Sequence, residues 1–214
     1  MAEPRKSFDY VIVGAGSAGC TLASRLTEDP AVRVLLLEAG GADRHPMIHL
    51  PGGMFPMLQR GMFSWLYETA PQAHLDGRKL NDARGKVLGG SSSINGMIYC
   101  RGARSDYDGW RQRGNVGWSY ADVLPYFKRS ERHALGESAY HGGDGPLGVS
   151  RSSVRNPMAR AWIAAAVEAG YSYNEDINGA RREGFGPTEV TISKGRRMST
   201  AATYLRAARG RSNL

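Results

Sequence analysis

Residues 10–19 read Tyr-Val-Ile-Val-Gly-Ala-Gly-Ser-Ala-Gly, residues 20–26 Cys-Thr-Leu-Ala-Ser-Arg-Leu, and residues 32–38 Val-Arg-Val-Leu-Leu-Leu-Glu. The pattern predicts a strand, a glycine turn, a helix and a second strand that closes on an acid. The apolar run Tyr10–Val13 delivers the chain into Gly14-Ala15-Gly16-Ser17-Ala18-Gly19. A helix-compatible stretch from Ser17 to Thr27 breaks at Asp29-Pro30, and Val32–Leu37 forms the second strand. Gly14 permits the turn, Gly16 lets the backbone approach a pyrophosphate, and Gly19 lets the helix pack on the strand. Glu38, nineteen residues beyond Gly19, is placed to accept hydrogen bonds from an adenosine ribose. The helix N-terminus adds free amides and a partial positive charge for phosphates. A dinucleotide site built from Gly14, Gly16, Ser17, Ala18, Gly19, Glu38 and Ala39 is expected, within an α/β, Rossmann-like βαβ domain.

Composition narrows the classes. With 214 residues, 41% hydrophobic and 22% charged, the chain has the balance of a globular protein with a real core. The net charge of +8 raises the question of nucleic acid. The basic clusters, Arg181-Arg182, Arg196-Arg197 and Arg206 to Arg211, are not interleaved with aromatics, so no nucleic-acid partner is expected. No His/Cys/Asp set has metal-binding spacing, and no metal is expected. Two cysteines, Cys20 and Cys100, make no disulfide framework and both read as small core residues. Residues 1–6 lack the apolar run of a leader, and no apolar run approaches the ~20 residues that span a bilayer. A cytoplasmic location follows as the expectation.

Residues 42–80 are rich in Pro and Gly, with a short helix around Pro51–Leu58; so long an irregular loop is expected to be functional or to lie over a ligand. A second glycine-rich block follows, Arg84-Gly-Lys-Val-Leu-Gly-Gly-Ser-Ser-Ser-Ile-Asn-Gly-Met97. Helices are predicted over 106–113 and 119–132, with Ser119 as N-cap and Pro125 imposing a kink or break. His141-Gly-Gly-Asp-Gly-Pro-Leu-Gly-Val149 turns into a short strand. Asn156-Pro157 opens a helix to Glu168, Phe185–Ile192 reads as a strand, and Ser199–Ala208 as a last helix. A doubly wound sheet needs a third parallel strand, and no later segment reads as one as clearly as the first two; the chain therefore reads as C-terminally truncated.

With both glycine blocks in view, the chain resembles the N-terminal part of a glucose–methanol–choline (GMC) oxidoreductase, of the choline-dehydrogenase-like kind. The matching segments are 9–19, 35–41, 84–97, His141–Leu147, Glu183–Pro187 and Gly195–Ala201. The resemblance implies FAD, and oxidation of a small-molecule alcohol to an aldehyde or ketone by hydride transfer to flavin N5. It adds Val87, Gly90, Ser91, Asn95, Gly96 and Met97 to the candidate cofactor-binding residues. Asn95 offers both a donor and an acceptor for orienting the ring or the substrate oxygen. Family members that tether flavin through a histidine carry it just before that asparagine; here the position is Ile94, so FAD is expected to be non-covalent.

The resemblance places the proton-accepting histidine beyond Leu214, and no catalytic residue is assigned among the five histidines of this chain. His141 reads as structural, and His45, His49, His74 and His133 as solvated surface groups. Expected domains are 1–150 for FAD binding, 151–198 as the start of an α+β substrate domain, and 199–214 as a helix returning to the FAD domain. A peripheral contact with a membrane or an electron acceptor is the one further partnership this reading admits. The alternatives are a non-enzymatic truncated FAD- or ADP-binding fragment and, third, a nicotinamide enzyme, against which the 89–95 block argues.

Overall fold

β1 (Tyr10–Val13) and β2 (Val34–Leu37) pair in parallel, Tyr10 against Val34 through Val13 against Leu37. The helix between them, α1 (Ser17–Leu26), buries Gly19, Cys20, Ala23 and Ser24. This computed structural model describes residues 7–214 and has two compact units, one of residues up to 96 together with 195–214, the other of 97–194. The N-terminal hexapeptide, read above as lacking a leader's apolar run, lies outside the described residues.

In the first unit the core of α1 is completed from the C-terminal segment. Ala15 and Cys20 pack with Tyr204 and Leu205, flanked by Leu36, Leu88 and Leu214. Arg211 donates to Thr27 Oγ1 at 2.8 Å and also to the Ser24 carbonyl, placing a cation on the C-terminal end of α1. Asn213 Nδ2 bonds the Val32 carbonyl at 2.7 Å. The predicted last helix is a π-helical turn, Ala201–Leu205, running into a short α-helical end, Arg206–Ala208. The second strand begins at Val34 rather than Val32, since the segment before it is held by turn bonds such as Val32 N–H to the Asp29 carbonyl. Val13 is 83% exposed, and Tyr10, Val11 and Leu37 are exposed with it. The short helix expected near 51–58 is three pieces, Pro46–His49, Pro51–Gly53 and Met54–Gln59, around a core of Ile48, Met57 and Val87.

In the second unit, α2 (Arg104–Gln112) and α3 (Tyr120–Ser130) pack through aromatic side chains, with Tyr107 5.4 Å from Trp110 and 5.6 Å from Phe127 between ring centroids. Ser119 caps α3 reciprocally: Ser119 Oγ accepts from Asp122 N–H, and Asp122 Oδ2 accepts from Ser119 N–H. Of the expected kink or break at Pro125, the break is excluded, because the helix continues through that residue; proline forfeits one N–H bond, and the cap at the start of the helix offsets part of that cost.

Residues 131 and 132, the predicted end of the helix over 119–132, instead join His133 in β3 (Glu131–His133), which pairs in parallel with β4 (Leu147–Arg151). α4 (Pro157–Glu168) starts as predicted, with Asn156 Oδ1 accepting from Met158 N–H. The strand expected over 185–192 shortens to β5 (Glu189–Val190), antiparallel to β4, followed by the two-residue strand Ile192–Ser193. The compact units divide at 96/97 and 194/195, where the sequence reading drew domains at 150/151 and 198/199.

Candidate functional site

The turn after β1 is shaped by close backbone approach. A Cβ on Gly19 would overlap the Gly14 carbonyl oxygen, so only glycine lets α1 sit this tightly on the strand. The second glycine block lies directly on that turn. Gly89 N–H donates to the Ala15 carbonyl at 2.7 Å, Leu88 N–H to the Gly41 carbonyl at 2.9 Å, and Gly41 bridges Val87 in parallel. Gly90, at φ +53°, touches the turn itself: a Cβ there would lie 2.8 Å from Gly16 Cα.

The block's serines fix its shape. Ser93 Oγ donates to the Leu88 carbonyl at 2.7 Å, Gly85 N–H to Ser91 Oγ at 3.1 Å, and Ser92 Oγ to the Gly89 carbonyl at 2.6 Å. Thr200 N–H then donates to Ser92 Oγ at 3.0 Å.

The two blocks border an open cleft of about 720 Å³ lined by Gly14, Gly16, Ser17, Glu38, Ala39, Gly90 and Ser91, all expected, with Val13, Leu37, Trp65, Tyr67, Arg84 and Gly85. The N-terminus of α1 opens here with no side-chain cap and no acid in its first turn, as an anion requires. A Cβ on Gly16 would meet no protein atom within 4 Å, whereas Gly19 and Gly90 are closed by packing. That open approach beside an uncapped helix end, with a carboxylate at the end of β2, fits the pyrophosphate and ribose of a dinucleotide.

Other expected residues lie elsewhere. Gly19 packs the helix, Ala18 sits within α1, and Val87 is fully buried with Ile48 and Met57. Asn95 and Gly96 do not line the cavity, and Met97 belongs to the second unit. Asn95 Oδ1 accepts from Arg197 Nη1 at 2.8 Å, so its acceptor is already engaged. Trp65, Tyr67, Arg84 and Gly85 line the cavity without having been among the expected residues. Trp65 and Tyr67 stack with centroids 6.1 Å apart and an interplanar angle of 2°, and Lys86 Nζ sits 4.3 Å from the Trp65 ring centroid. Trp65 and Tyr67 lie in the irregular stretch 42–80 that was expected to be functional or to lie over a ligand, which pointed to the loop but not to these residues, and Arg84 and Gly85 open the second glycine block.

None of the five histidines lines this cavity. His45 caps a short helix and His49 bonds the Asp43 carbonyl. His133, read as a solvated surface group, is buried with His141 in a charge network of the second unit; the strand that replaces the expected helix turns it inward. Arg101 Nη2 meets Glu131 Oε2 at 2.8 Å, and His141 lies between Glu131 and Asp176, 3.0–3.1 Å from each. His133 Nδ1 accepts from Leu135 N–H, so its Nε2 carries the proton donated to Glu189 Oε1 at 2.8 Å. Asn178 Nδ2 donates to Glu189 Oε2 at 2.7 Å. Both ring nitrogens of His141 face carboxylates and act as donors, so this ring is the imidazolium. Burial pushes the His141 pKa down, but the hydrogen bonds to Glu131 and Asp176 and the charges of Glu131 and Glu189 outweigh it and leave it raised.

His133, His141 and Glu189 also gather three metal-capable atoms within 4.8 Å of one another. Their rings, however, are stacked at 4.2 Å and 30°, so the two rings do not converge edge-on toward one in-plane ion, and the nitrogens are engaged in the hydrogen bonds above. Cys100, expected in the core, is exposed, with its sulfur 2.9 Å from Arg182 Nη2.

The sequence pattern of one family, described as GMC oxidoreductase, matches residues 8–214. The chain belongs to the GMC oxidoreductases. It is 50% identical over 210 residues to an oxygen-dependent choline dehydrogenase of Photobacterium profundum, covering 97% of this chain and 37% of that protein. It is 49% identical over 220 residues to human mitochondrial choline dehydrogenase, covering 100% and 37%. Among solved structures, pyridoxine 4-oxidase from Mesorbium loti superposes with a TM-score of 0.92 at 41% identity, covering 97% of this chain and 41% of that one. A formate oxidase of Aspergillus oryzae, studied for FAD modification, gives 0.84 at 30% identity, covering 99% and 38%. The chain thus spans well under half the length of these relatives and corresponds to the N-terminal, flavin-binding part of a GMC oxidoreductase. Among the described residues no helix is long and apolar enough to cross a membrane.

Proposed function

We propose that this chain forms the FAD cradle of an enzyme that oxidises a small-molecule alcohol, and that FAD is held without a covalent bond. The observation that carries the reading is the cavity where the uncapped N-terminus of α1, the open face of Gly16, the Glu38 carboxylate and the Gly90–Ser91 turn meet. In that reading the α1 amides and Gly16 hold the pyrophosphate, and Glu38 receives the ribose hydroxyls. Ser91 and Arg84 address the polar parts of the cofactor, while Trp65 and Tyr67 exclude water from one wall. FAD supplies the hydride acceptor. The chain's own residues bind and orient; no histidine of this chain lines the cavity, so we assign it no base.

Non-covalent attachment is supported by Ile94, a buried hydrocarbon with no nucleophile, at the position before Asn95. Choline is the first substrate to test, because choline dehydrogenases are among the relatives at about half identity. A cytoplasmic location belongs to the same proposal, and fractionation of the tagged protein tests it.

The deciding experiment is purification followed by acid precipitation. A yellow protein that releases all its flavin into the supernatant supports the reading. Flavin retained in the pellet overturns the non-covalent part, and a colourless protein that FAD cannot reconstitute overturns the cradle. A colour bleached by choline under anaerobic conditions supports alcohol oxidation.

A further inference from the structure

Arg197 is among the most enclosed charges of the first unit, 1% exposed, and it forms no ion pair among the described residues. Its Nε donates to the Ile48 carbonyl at 2.8 Å. Its Nη1 donates to the Asn95 carbonyl at 2.7 Å, to Asn95 Oδ1 at 2.8 Å and to the Ser92 carbonyl at 3.3 Å. Its Nη2 is buried with no hydrogen-bond partner. One guanidinium therefore ties the helical turn at residues 46–49 to the C-terminal end of the Gly90–Ser93 turn, whose N-terminal half lines the cavity.

Every partner of this cation is a neutral oxygen. A buried charge with only dipoles around it costs several kcal/mol more to hold than a paired one, so such a site is expensive for bracing alone. A carboxylate would have cancelled the field, and none pairs with it among the described residues. We propose that Arg197 is a positioning residue of the flavin site, which locks the Ser92–Asn95 turn with its fork and raises the reduction potential of the bound flavin with its unneutralised charge; this rests on the flavin reading above. Burial lowers its pKa to about 10, which leaves the group charged at neutral pH. A fixed positive charge in a low-dielectric interior favours the form of a nearby group that carries more negative charge. A flavin gains electrons on reduction, so the field acts on that equilibrium. Lysine keeps the charge but not the planar fork, which separates the two roles.

The test uses the flavin-loaded protein with Arg197→Met and Arg197→Lys, reading the two-electron midpoint potential by dye equilibration and FAD affinity by titration. Arg197→Met is expected to shift the flavin toward its oxidised form by tenfold or more, a potential about 30 mV more negative. Arg197→Lys is expected to keep the wild-type potential while binding FAD about tenfold more weakly. A folded, loaded Arg197→Met with wild-type potential overturns the proposal. Should Arg197→Met fail to fold, Arg197→Lys decides: wild-type potential with weakened FAD supports it, and either a shifted potential or unchanged FAD affinity overturns it. A wild-type protein that takes up no FAD overturns the flavin reading itself, before any variant is compared.

Discussion

Glu38 Oε2 accepts the backbone N–H of Ala15 at 2.8 Å, while its Oε1 accepts Gly40 N–H at 2.8 Å. The acid at the end of β2 therefore braces the glycine turn after β1 and its own following loop while it lines the cavity. Replacing Glu38 by Ala removes both acceptors together with the carboxylate proposed to receive the ribose. FAD affinity is expected to fall by ~1–3 kcal/mol, the scale of hydrogen bonds to a charged group. Fluorescence titration with FAD checks this; unchanged affinity would show that the carboxylate serves the turn alone.

Gly16 and Gly90 touch, yet their substitutions should behave differently. Gly16 is extended and its Cβ direction is open, so Gly16→Val is expected to fold within about 0.5 kcal/mol of the parent and to lose flavin. Gly90 is left-handed and closed against Gly16 Cα, so Gly90→Ala is expected to lose both flavin and about 1–2 kcal/mol of stability or more. Urea melts alongside visible spectra separate the two. A yellow Gly16→Val protein would remove pyrophosphate from this position.

The first unit was legible where backbone geometry leaves little choice. A strand, glycines at fixed offsets, a helix and an acid admit few other folds, and β1, α1 and β2 appear within two residues of their predicted bounds. The second unit was not. Glu131 and Arg132 continue the predicted amphipathic helix, and only the parallel pairing of Glu131–His133 with Leu147–Val149 makes the segment a strand. His133 was read as solvated for the same reason, since its burial depends on Glu189, fifty-six residues away. Local periodicity carries no information about a partner that distant. Cys100 failed differently: a small apolar residue after an apolar run reads as core, but the backbone there exposes it. Within the site, the cradle glycines were readable and the aromatic wall was not, because Trp65 and Tyr67 lie in a loop with no repeating pattern.

Arg101 and Glu131 are both almost fully enclosed, and their contact is 2.8 Å. Arg101→Met leaves the Glu131 carboxylate buried without its guanidinium. The expected loss is about 3–5 kcal/mol, far more than an exposed pair such as Arg84–Asp82 would show. Equilibrium urea unfolding of the two variants, Arg101→Met and Arg84→Met, makes the comparison. Equal losses would mean that water or a rearranged His141 replaces the guanidinium.

The same network sets a pH window for stability. For Glu131, burial raises the pKa, but the His141 hydrogen bond, the Gly142 N–H and the Arg101 charge prevail and hold it below its ordinary 4.5. Its contribution is present above pH 4.5 and lost as pH falls through the lowered folded value. For His141 the shift is upward from 6.5, so its contribution is complete below pH 6.5 and is lost as pH rises through the raised folded value. Between those limits the two groups together give a plateau, with stability falling on both sides. His141→Gln keeps a hydrogen-bonding side chain and removes the titration, so the alkaline fall should flatten while the acid limb persists. Thermal melts of the parent and His141→Gln across pH 2 to 9 read both limbs directly. An alkaline slope identical in the two proteins would show that His141 is already neutral in the folded state, and that Glu131 is held by Arg101 and the Gly142 amide alone.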